Sequence, residues 1–219
     1  MADFAALREE MVRRQIAGRG IDDPALLAAM RAVPREAFVP GHLAARAYED
    51  SPLPIEAAQT ISQPYIVALM IAATGIGAGD KVLEIGAGSG YAAAVIGRIA
   101  GEVIAIERHA ELAALAAARM VRFGYANVRI VEGDGSTGLP HEAPFDAILA
   151  AASGSHVPDT LKRQLTPDGV LVMPVGAPGD AQILVKVTRE GEEDFREESL
   201  GAVRFVPLIG RAGWGGGTG

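Results

Sequence analysis

The sequence has 219 residues, 49% of them hydrophobic, and carries a formal net charge of −7 at pH 7. This length and hydrophobic content predict one well-buried domain. The lack of cysteine excludes disulfides, thiolate nucleophiles and zinc sites that use cysteine. The four histidines show no ligand-like spacing, so we expect no metal dependence. The acidic balance disfavours a nucleic-acid substrate, because phosphate binding normally needs a basic face.

Two targeting features are missing from the sequence. It contains no uncharged apolar run of about 18 residues, the length expected of a membrane span. It also has no basic stretch that leads into an apolar one at its start. We therefore expect neither a membrane span nor a secretion signal, and we predict a cytoplasmic location.

The first segment of the chain predicts two helices. Apolar residues recur at spacings of three to five between residues 4 and 16, which indicates an amphipathic helix that ends near Gly18 or Gly20. Asp23 followed by Pro24 is typical of a second helix start, because aspartate caps the first turn and proline is tolerated there. The chain is thus predicted to begin with a helical extension.

The next segment is less regular. Residues 41–62 show no convincing period and predict an extended connection that crosses the surface of the later domain. Pro64 is predicted to begin the following helix, and Gly75 to lie near its end. We therefore divide one domain, residues 1–212, into a helical extension with a substrate loop (residues 1–75) and an α/β core (residues 76–212).

The core alternates strand-like and helix-like stretches, which predicts a parallel sheet flanked by helices. The strand-like stretches are 81–85, 103–107, 128–131, 145–150 and 170–175, and the helix-like stretches are 91–99, 109–123 and 157–164. Several of these strands are apolar throughout, as expected when a sheet is covered on both faces.

The end of the chain changes character. Stretches 181–187 and 202–207 predict strands added antiparallel at the edge of the sheet. The charged run 189–198 between them predicts a solvated loop, because charge-rich connections usually face water. Residues 213–219, with the single Trp214, predict a flexible, frayed tail.

A glycine loop follows the first strand of the core. Gly86, Gly88 and Gly90 alternate with other residues between a predicted strand and a predicted helix. Glycine lets the backbone turn sharply and approach a ligand closely. This order predicts a site for a nucleotide-containing cofactor, although such a loop alone is also found in ordinary tight turns. The dinucleotide fingerprint needs a glycine where Tyr91 stands, which disfavours a nicotinamide cofactor.

Acidic residues on three successive strands complete the candidate cofactor site. Glu107, next to the further candidate Arg108, is predicted to accept the ribose hydroxyls, with a helix cap as the alternative. Asp134 is predicted to accept the exocyclic amine of adenine while Gly135 admits the ring, as is common in methyltransferases that use S-adenosylmethionine. Glu84 lies in an apolar strand, and its burial without a partner would be costly. That partner is the amino group of the cofactor's methionine moiety, indirectly the cofactor's sulfonium through its field, or a nearby arginine or lysine.

Several separate motifs resemble those of the protein-L-isoaspartate O-methyltransferases, over roughly residues 11 to 211. They are residues 33–40 (VPREAFVP), 47–50 (AYED), 52–55 (PLPI), 59–64 (QTISQP), 143–148 (APFDAI), 173–176 (MPVG) and 205–208 (FVPL). The resemblance implies an α/β, Rossmann-like fold of S-adenosylmethionine-dependent methyltransferases. In that fold a mostly parallel seven-strand sheet follows the N-terminal helical extension.

The resemblance also implies an activity. The family transfers a methyl group from S-adenosylmethionine to the free α-carboxylate of L-isoaspartyl residues, and of some D-aspartyl residues, in damaged proteins, and releases S-adenosylhomocysteine. The ester collapses to a succinimide whose hydrolysis restores some normal aspartyl linkage, so the implied function is protein repair. The expected partners are isoaspartyl-containing proteins and peptides, with no nucleic acid, membrane or metal.

The same resemblance places the acceptor at Thr60, Ile61 and Ser62. Ser62 matches the residue usually designated as the active site of the family, and the hydroxyls of Thr60 and Ser62 fit the task of donors to a carboxylate. The backbone at Ile61 and Ser62 is expected to help bind the acceptor. No general base is needed, because a carboxylic acid with a pKa of roughly 4 is already an anion at neutral pH. The alternative for Ser62 is a cap for the helix that begins at Pro64.

Two segments depart from the family pattern. Residues 56–58 (EAA) stand where the family generally has glycines, which stiffens the loop and adds negative charge near an anionic acceptor. Residues 153–156 (SGSH) replace an Ala-Pro-Glu-like turn, where His156 is either an exposed loop residue or an altered substrate contact. Three other functions stay open beside the isoaspartate methyltransferase that the resemblance implies. They are a related carboxyl methyltransferase with another acceptor, a protein that binds the cofactor without turnover, and a nicotinamide dehydrogenase.

Overall fold

The computed structural model describes residues 3–215 and has a seven-stranded mixed sheet at its centre. The strands are β1 (Leu53–Pro54), β2 (Thr60–Ile61), β3 (Lys81–Ile85), β4 (Glu102–Glu107), β5 (Val128–Glu132), β6 (Phe145–Ala150), β7 (Leu165–Val175), β8 (Gln182–Arg189) and β9 (Phe195–Val203). The α-helices are α1 (Phe4–Glu10), α2 (Pro24–Ala32), α3 (Pro64–Thr74), α4 (Tyr91–Ile96), α5 (Ala110–Arg122) and α6 (Asp159–Lys162).

The helical extension has the predicted starts and stops. Helix α1 continues as a π-helix over Met11–Ile16 and a 3-10 turn, and the chain leaves at Gly20 with a φ of 89°. Asp23 caps α2, because its carboxylate accepts the N–H of Leu26 at 2.7 Å. Helix α3 begins at Pro64, as predicted. These local signals are strong because caps, proline and left-handed glycine act within one turn of the chain.

The prediction that residues 41–62 are wholly extended is wrong. Gly41–Arg46 forms a 3-10 helix, and Glu56–Ala58 forms a 3-10 turn between β1 and β2. The two short strands pair antiparallel, with Leu53 opposite Ile61. The tertiary contacts of this segment order it, since Leu53 is 1% exposed. A short hairpin therefore carries the predicted substrate loop.

The central sheet has the order β5-β4-β3-β6-β7-β8-β9, and the first five of these strands run parallel. This confirms the predicted α/β class and the mostly parallel sheet. Successive residues of β3 enter separate cores, because side chains alternate across a strand. Val82 packs into the core that also contains Leu26 and Leu53 of the extension, whereas Leu83 packs into the other. The extension thus covers one face of the sheet, next to the hairpin that carries the candidate acceptor residues Thr60 and Ile61.

The C-terminal edge differs from the sequence prediction. The charged run 189–198 is only partly the predicted loop: residues 190–194 connect the two strands, but β8 extends through Arg189 and β9 begins at Phe195. The predicted strand 202–207 is displaced accordingly, since β9 ends at Val203. On an edge strand one row of side chains faces water, so charged residues such as Glu197, opposite Val187, are accommodated.

The predicted frayed tail is partly wrong. The backbone N–H of Trp214 donates to Leu208 O at 2.7 Å, and its indole Nε1 donates to Ser153 O at 2.7 Å. A buried indole N–H usually finds such a partner. The rest of that predicted tail, residues 216–219, lies outside the described residues.

Candidate active site

A cavity of about 610 Å³ lies at the carboxyl ends of the parallel strands. In open α/β sheets this is the usual place for a ligand. The predicted site residues that line it are Thr60, Ile61, Ser62, Glu84, Gly86, Gly88, Glu107, Arg108 and Gly135. The fold therefore brings the acceptor segment and the glycine loop to one cavity, although the two come from different parts of the chain.

The glycine loop has the geometry that requires glycine. Gly86 and Gly88 have φ values of 86° and 53°, which are unfavourable for residues with a side chain. The N–H groups of Gly86 and Ala87 donate to Ile106 O at 2.9 and 3.0 Å, which fixes the loop to the end of β4. A β-carbon on Gly88 would lie 3.5 Å from Ile55, so the substrate loop packs against the glycine loop.

Glu107 is held at the end of β4 by two backbone donors. Its Oε2 accepts the N–H of Gly88 at 2.8 Å, and its Oε1 accepts the N–H of His109 at 2.9 Å. His109 is the N-cap residue of α5, so Glu107 also contributes to the start of that helix. Each carboxylate oxygen can accept a further bond, so the cap and a ribose contact are compatible.

Glu84 is a buried acid with one orphaned oxygen. It is 2% exposed, and its Oε2 has no hydrogen-bond partner. Burial and, to a smaller degree, the negative charge of Glu107 raise the pKa of Glu84 to about 8. Within residues 3–215, no arginine or lysine forms an ion pair with Glu84, which argues against a structural cationic partner. An orphaned acceptor in a cavity wall suits a cationic ligand group.

Asp134 and Gly135 follow β5, and the structure places them differently. Gly135 lines the cavity, and a β-carbon there would lie 2.7 Å from Ile85 Cγ2, so the position needs glycine. Asp134 lies beside the cavity wall, and its oxygens accept the N–H groups of Ser136 and Arg211, both at 2.8 Å. Partial burial opposes ionisation, but these bonds outweigh it and hold the pKa of Asp134 below its ordinary value.

The acceptor segment turns directly into α3. Thr60 and Ile61 form β2, and Ser62 follows at the cavity wall. Gln63 occupies the N-cap position of α3, and no side chain caps this helix. The cap alternative for Ser62 is therefore wrong. Ser62 and the orphaned acid Glu84 line the same cavity.

The two departures from the family pattern lie off the cavity wall. Glu56 is near Arg119 of α5, with 4.0 Å between Oε1 and Nη2, and the same arginine donates to Ser89 O at 3.0 Å. The charge of Glu56 is thus directed to a cation and away from the acceptor. His156 is exposed and contacts Ser155, with 3.0 Å between Nδ1 and Oγ, and it does not line the cavity.

Sequence reasoning missed the last wall of the cavity, which residues 202–209 form at the end of β9 and directly after it. Gln182 holds this segment, because it accepts the N–H of Phe205 at 2.7 Å and donates to its carbonyl at 3.2 Å. The signal in the sequence was the FVPL motif at residues 205–208. It contributed to the family resemblance, but no place in the site was assigned to it. Arg35, in the VPREAFVP motif, was missed in the same way.

In the part of the chain that the structure describes, no helix is long and apolar enough to cross a bilayer. No group of three or more His, Cys, Asp or Glu side chains there is arranged to hold a metal ion.

The sheet order, the glycine loop and the acids at the strand ends define an S-adenosylmethionine-dependent methyltransferase of the Rossmann-like class. Residues 6–213 match the model of one family in that class, described as protein-L-isoaspartate(D-aspartate) O-methyltransferase. The chain belongs to this family.

Individual relatives agree with the family match. The chain is 59% identical over 211 residues to protein-L-isoaspartate O-methyltransferase 1 of Rhodopseudomonas palustris strain HaA2, which covers 96% of this chain and 86% of the relative. It is 56% identical to a protein-L-isoaspartate O-methyltransferase of Methylorubrum populi, over 96% of this chain and 99% of the relative.

A solved Plasmodium falciparum structure, described as a protein-L-isoaspartate O-methyltransferase in complex with S-adenosyl-L-homocysteine, is 25% identical with a TM-score of 0.81. The match covers 95% of this chain and 99% of that one. A second solved protein-L-isoaspartate O-methyltransferase is 29% identical with a TM-score of 0.84, over 94% of this chain and 67% of that one.

Proposed function

We infer that this chain transfers a methyl group from S-adenosylmethionine to the free α-carboxylate of L-isoaspartyl residues in damaged proteins. The family match over residues 6–213 carries this conclusion, together with the cavity that joins Thr60 and Ser62 to the glycine loop. Methyl esterification of such a residue leads to a succinimide, whose hydrolysis restores some normal linkage. The enzyme therefore acts in protein repair, and we extend the proposal to D-aspartyl acceptors.

The cofactor side of the cavity fits S-adenosylmethionine, which supplies the transferable methyl group when bound. The orphaned Oε2 of Glu84 suits the ammonium of the methionine moiety. Glu107 has acceptor capacity left for ribose hydroxyls. We propose that the backbone at Gly86 and Gly88 approaches the cofactor closely, because neither residue has a side chain to interfere.

The adenine end of the proposed site is formed after β4 and β5. We propose that Gly135 makes room for the ring and that Arg108 flanks the cofactor at the cavity wall. Asp134 is proposed to accept the exocyclic amine. This role requires its carboxylate to accept a third hydrogen bond besides those from Ser136 and Arg211, which a carboxylate can do.

The acceptor side supplies hydroxyl donors, and the proposed reaction needs no general base. We propose that Ser62 and Thr60 donate to the acceptor carboxylate, and that the backbone at Ile61 and Ser62 completes its binding. A carboxylate is already the nucleophile at neutral pH, so these residues need only orient one oxygen toward the methyl group. Such orientation makes the displacement effectively unimolecular, which is a large source of rate acceleration.

We propose that residues 1–212 act as one unit, in which residues 1–75 provide the acceptor side and residues 76–212 the cofactor side. The support is that Ser62 and Glu84 line the same cavity and that one hydrophobic core includes both parts. We propose isoaspartyl-containing proteins and peptides as the partners. A cytoplasmic location stays a prediction, which fractionation of cells followed by immunoblotting tests.

The deciding experiment uses matched peptides and labelled S-adenosylmethionine. The peptides differ only in an L-isoaspartyl, a D-aspartyl or an L-aspartyl linkage at one position. Base-labile label on the isoaspartyl peptide, with none on the L-aspartyl peptide, is the expected result. Equal labelling of both peptides, or no labelling by enzyme that binds S-adenosylhomocysteine, refutes the proposed activity.

A further inference from the structure

Arg35 is a fully buried arginine behind the acceptor segment. It is 0% exposed and begins a 3-10 helix, Arg35–Phe38, shortly after α2. Its Nε donates to Ala47 O at 2.7 Å, and its Nη2 donates to Ser62 O at 2.7 Å. One rigid guanidinium therefore joins two backbone segments, and the second of these carries the acceptor hydroxyl.

The charge of Arg35 has no acidic partner in the described part of the chain. Its third nitrogen, Nη1, is buried without a hydrogen-bond partner. Burial lowers the pKa of Arg35, but an arginine side chain stays protonated in proteins because its reference value is so high. An unpaired buried cation is costly, and packing alone would be served better by an apolar residue.

An aromatic ring connects Arg35 to the cofactor side. The guanidinium carbon lies 4.7 Å from the centroid of the Tyr91 ring, which lines the cavity and begins α4 directly after the glycine loop. A cation over a ring face is attracted to it, but the ring carries no net charge and leaves the cation unneutralised. The positive charge thus lies where the acceptor and cofactor segments meet.

We propose that Arg35 is a positioning residue for the acceptor, which it serves by fixing the Ser62 backbone and by favouring a negatively charged group at that place. This inference rests on the proposed function, because an isoaspartyl acceptor presents a carboxylate. The required positive charge would then be local in a chain with a net charge of −7, because Arg35 forms no ion pair with an acidic side chain in the described residues and the charge of Asp50 acts on it without a direct contact.

The test compares two peptides on enzyme loaded with S-adenosylhomocysteine, so that no turnover is needed. One peptide has a free isoaspartyl α-carboxylate, and the other has the α-carboxamide at the same position. Fluorescence anisotropy of labelled peptides gives both dissociation constants. We expect wild-type enzyme to prefer the carboxylate and Arg35→Gln to reduce that preference by about tenfold, since one charge at close range is lost. The affinity for S-adenosylhomocysteine stays within about twofold.

Two further variants separate charge from structure. Arg35→Lys keeps the charge but loses the planar guanidinium that donates to two backbone carbonyls. It is therefore expected to lower the affinity for both peptides and to retain the preference for the carboxylate. Arg31→Gln is the matched control, because Arg31 is an exposed arginine that pairs with Glu9. It leaves both dissociation constants unchanged.

The outcomes decide between a charge effect and simple packing. Equal weakening of both peptides by Arg35→Gln, with the preference intact, overturns the proposal. If Arg35→Gln does not fold, Arg35→Lys decides, because loss of the preference in that variant overturns the proposal and its retention supports it. Failure of the proposed activity is a separate result: wild-type enzyme would then bind the peptides selectively without methylating them.

Discussion

Replacing Glu84 with glutamine tests the cofactor side of the cavity. The substitution changes two measurable quantities, the pH dependence of stability and the number of protons released on cofactor binding. The carboxyl group is 2% exposed and its pKa is raised from 4.5 to about 8. Between these values the folded protein binds one more proton than the unfolded chain, so its stability falls as the pH rises. At pH 7 the ionisable carboxyl destabilises the fold by about 3 kcal/mol relative to a neutral group.

Glutamine is neutral and nearly isosteric, so Glu84→Gln removes this pH dependence. The variant is expected to gain stability relative to wild type as the pH rises from 4.5 to 7, by about 3 kcal/mol in all. Urea denaturation of the ligand-free proteins at several pH values measures this difference. If the free energies of unfolding of the two proteins change in parallel between pH 4.5 and 7, the inference that Glu84 is buried without a compensating charge is refuted.

If Glu84 holds the ammonium of the cofactor as proposed, we expect cofactor binding to reverse its preference for the protonated form. An ammonium beside Oε2 favours the ionised carboxylate, so binding of S-adenosylhomocysteine at pH 7 releases about 0.9 proton from the wild-type enzyme. The Gln variant releases none at this site and binds about 30-fold more weakly, since a charged hydrogen bond is lost. Calorimetry in buffers of different ionisation enthalpy measures both quantities. Equal proton release in the two proteins would remove Glu84 from the ammonium site.

The control for charge removal is Glu102→Gln. Glu102 begins β4, at the end of that strand away from Glu107 and the cavity. Glu102 is exposed and lies 3.9 Å from Lys81 Nζ. A screened surface pair contributes little, so this variant is expected to keep both the proton release and the affinity of wild type.

Three more substitutions test other parts of the site. Ser62→Ala is expected to lower kcat/KM for an isoaspartyl peptide by about 10- to 100-fold with unchanged affinity for S-adenosylhomocysteine, because one donor to a charged group is removed; equal loss of both contradicts an acceptor-side role. Asp134→Ala is expected to weaken S-adenosylhomocysteine by about tenfold in calorimetry, and unchanged affinity would remove Asp134 from the adenine site. Ala57, with φ 53°, is strained, so Ala57→Gly is expected to stabilise the fold by about 1 kcal/mol in urea denaturation. Ala114→Gly in α5 is its control and destabilises by about 1 kcal/mol, and a loss of stability in both refutes the strain.

The loop that departs from the family pattern is compensated within this chain. Ala57 and Ala58 both adopt left-handed backbone angles that glycine would adopt without strain. Glu56 approaches Arg119, which also holds the carbonyl of Ser89 in the glycine loop. The alanines that stand in place of glycines are therefore strained locally. The Glu56–Arg119 ion pair and the packing of Ile55 on Gly88 keep the loop against the candidate cofactor site.

Local patterns were sufficient for much of the fold and for selecting most of the residues that line the candidate site. Strand β3 and strand β6 have the predicted bounds, because buried parallel strands are short apolar runs between turn residues. The glycine loop and the acidic strand ends follow from chemistry within a few residues of each other. The prediction of a loop over the whole charged run 189–198 was too long, because charge indicates exposure to water. Both a loop and an edge strand are exposed, so charge does not distinguish them.

Residue types at short spacings were enough to predict the α/β class and the glycine loop, and the motifs that resemble a known family implied the family and the candidate acceptor residues. The environment of individual side chains could not be predicted in this way. Arg35 meets Ser62, and Asp134 meets Arg211, across long stretches of chain. Burial, orphaned polar atoms and the pKa of Glu84 depend on which distant segments pack together, and that packing is a property of the whole fold.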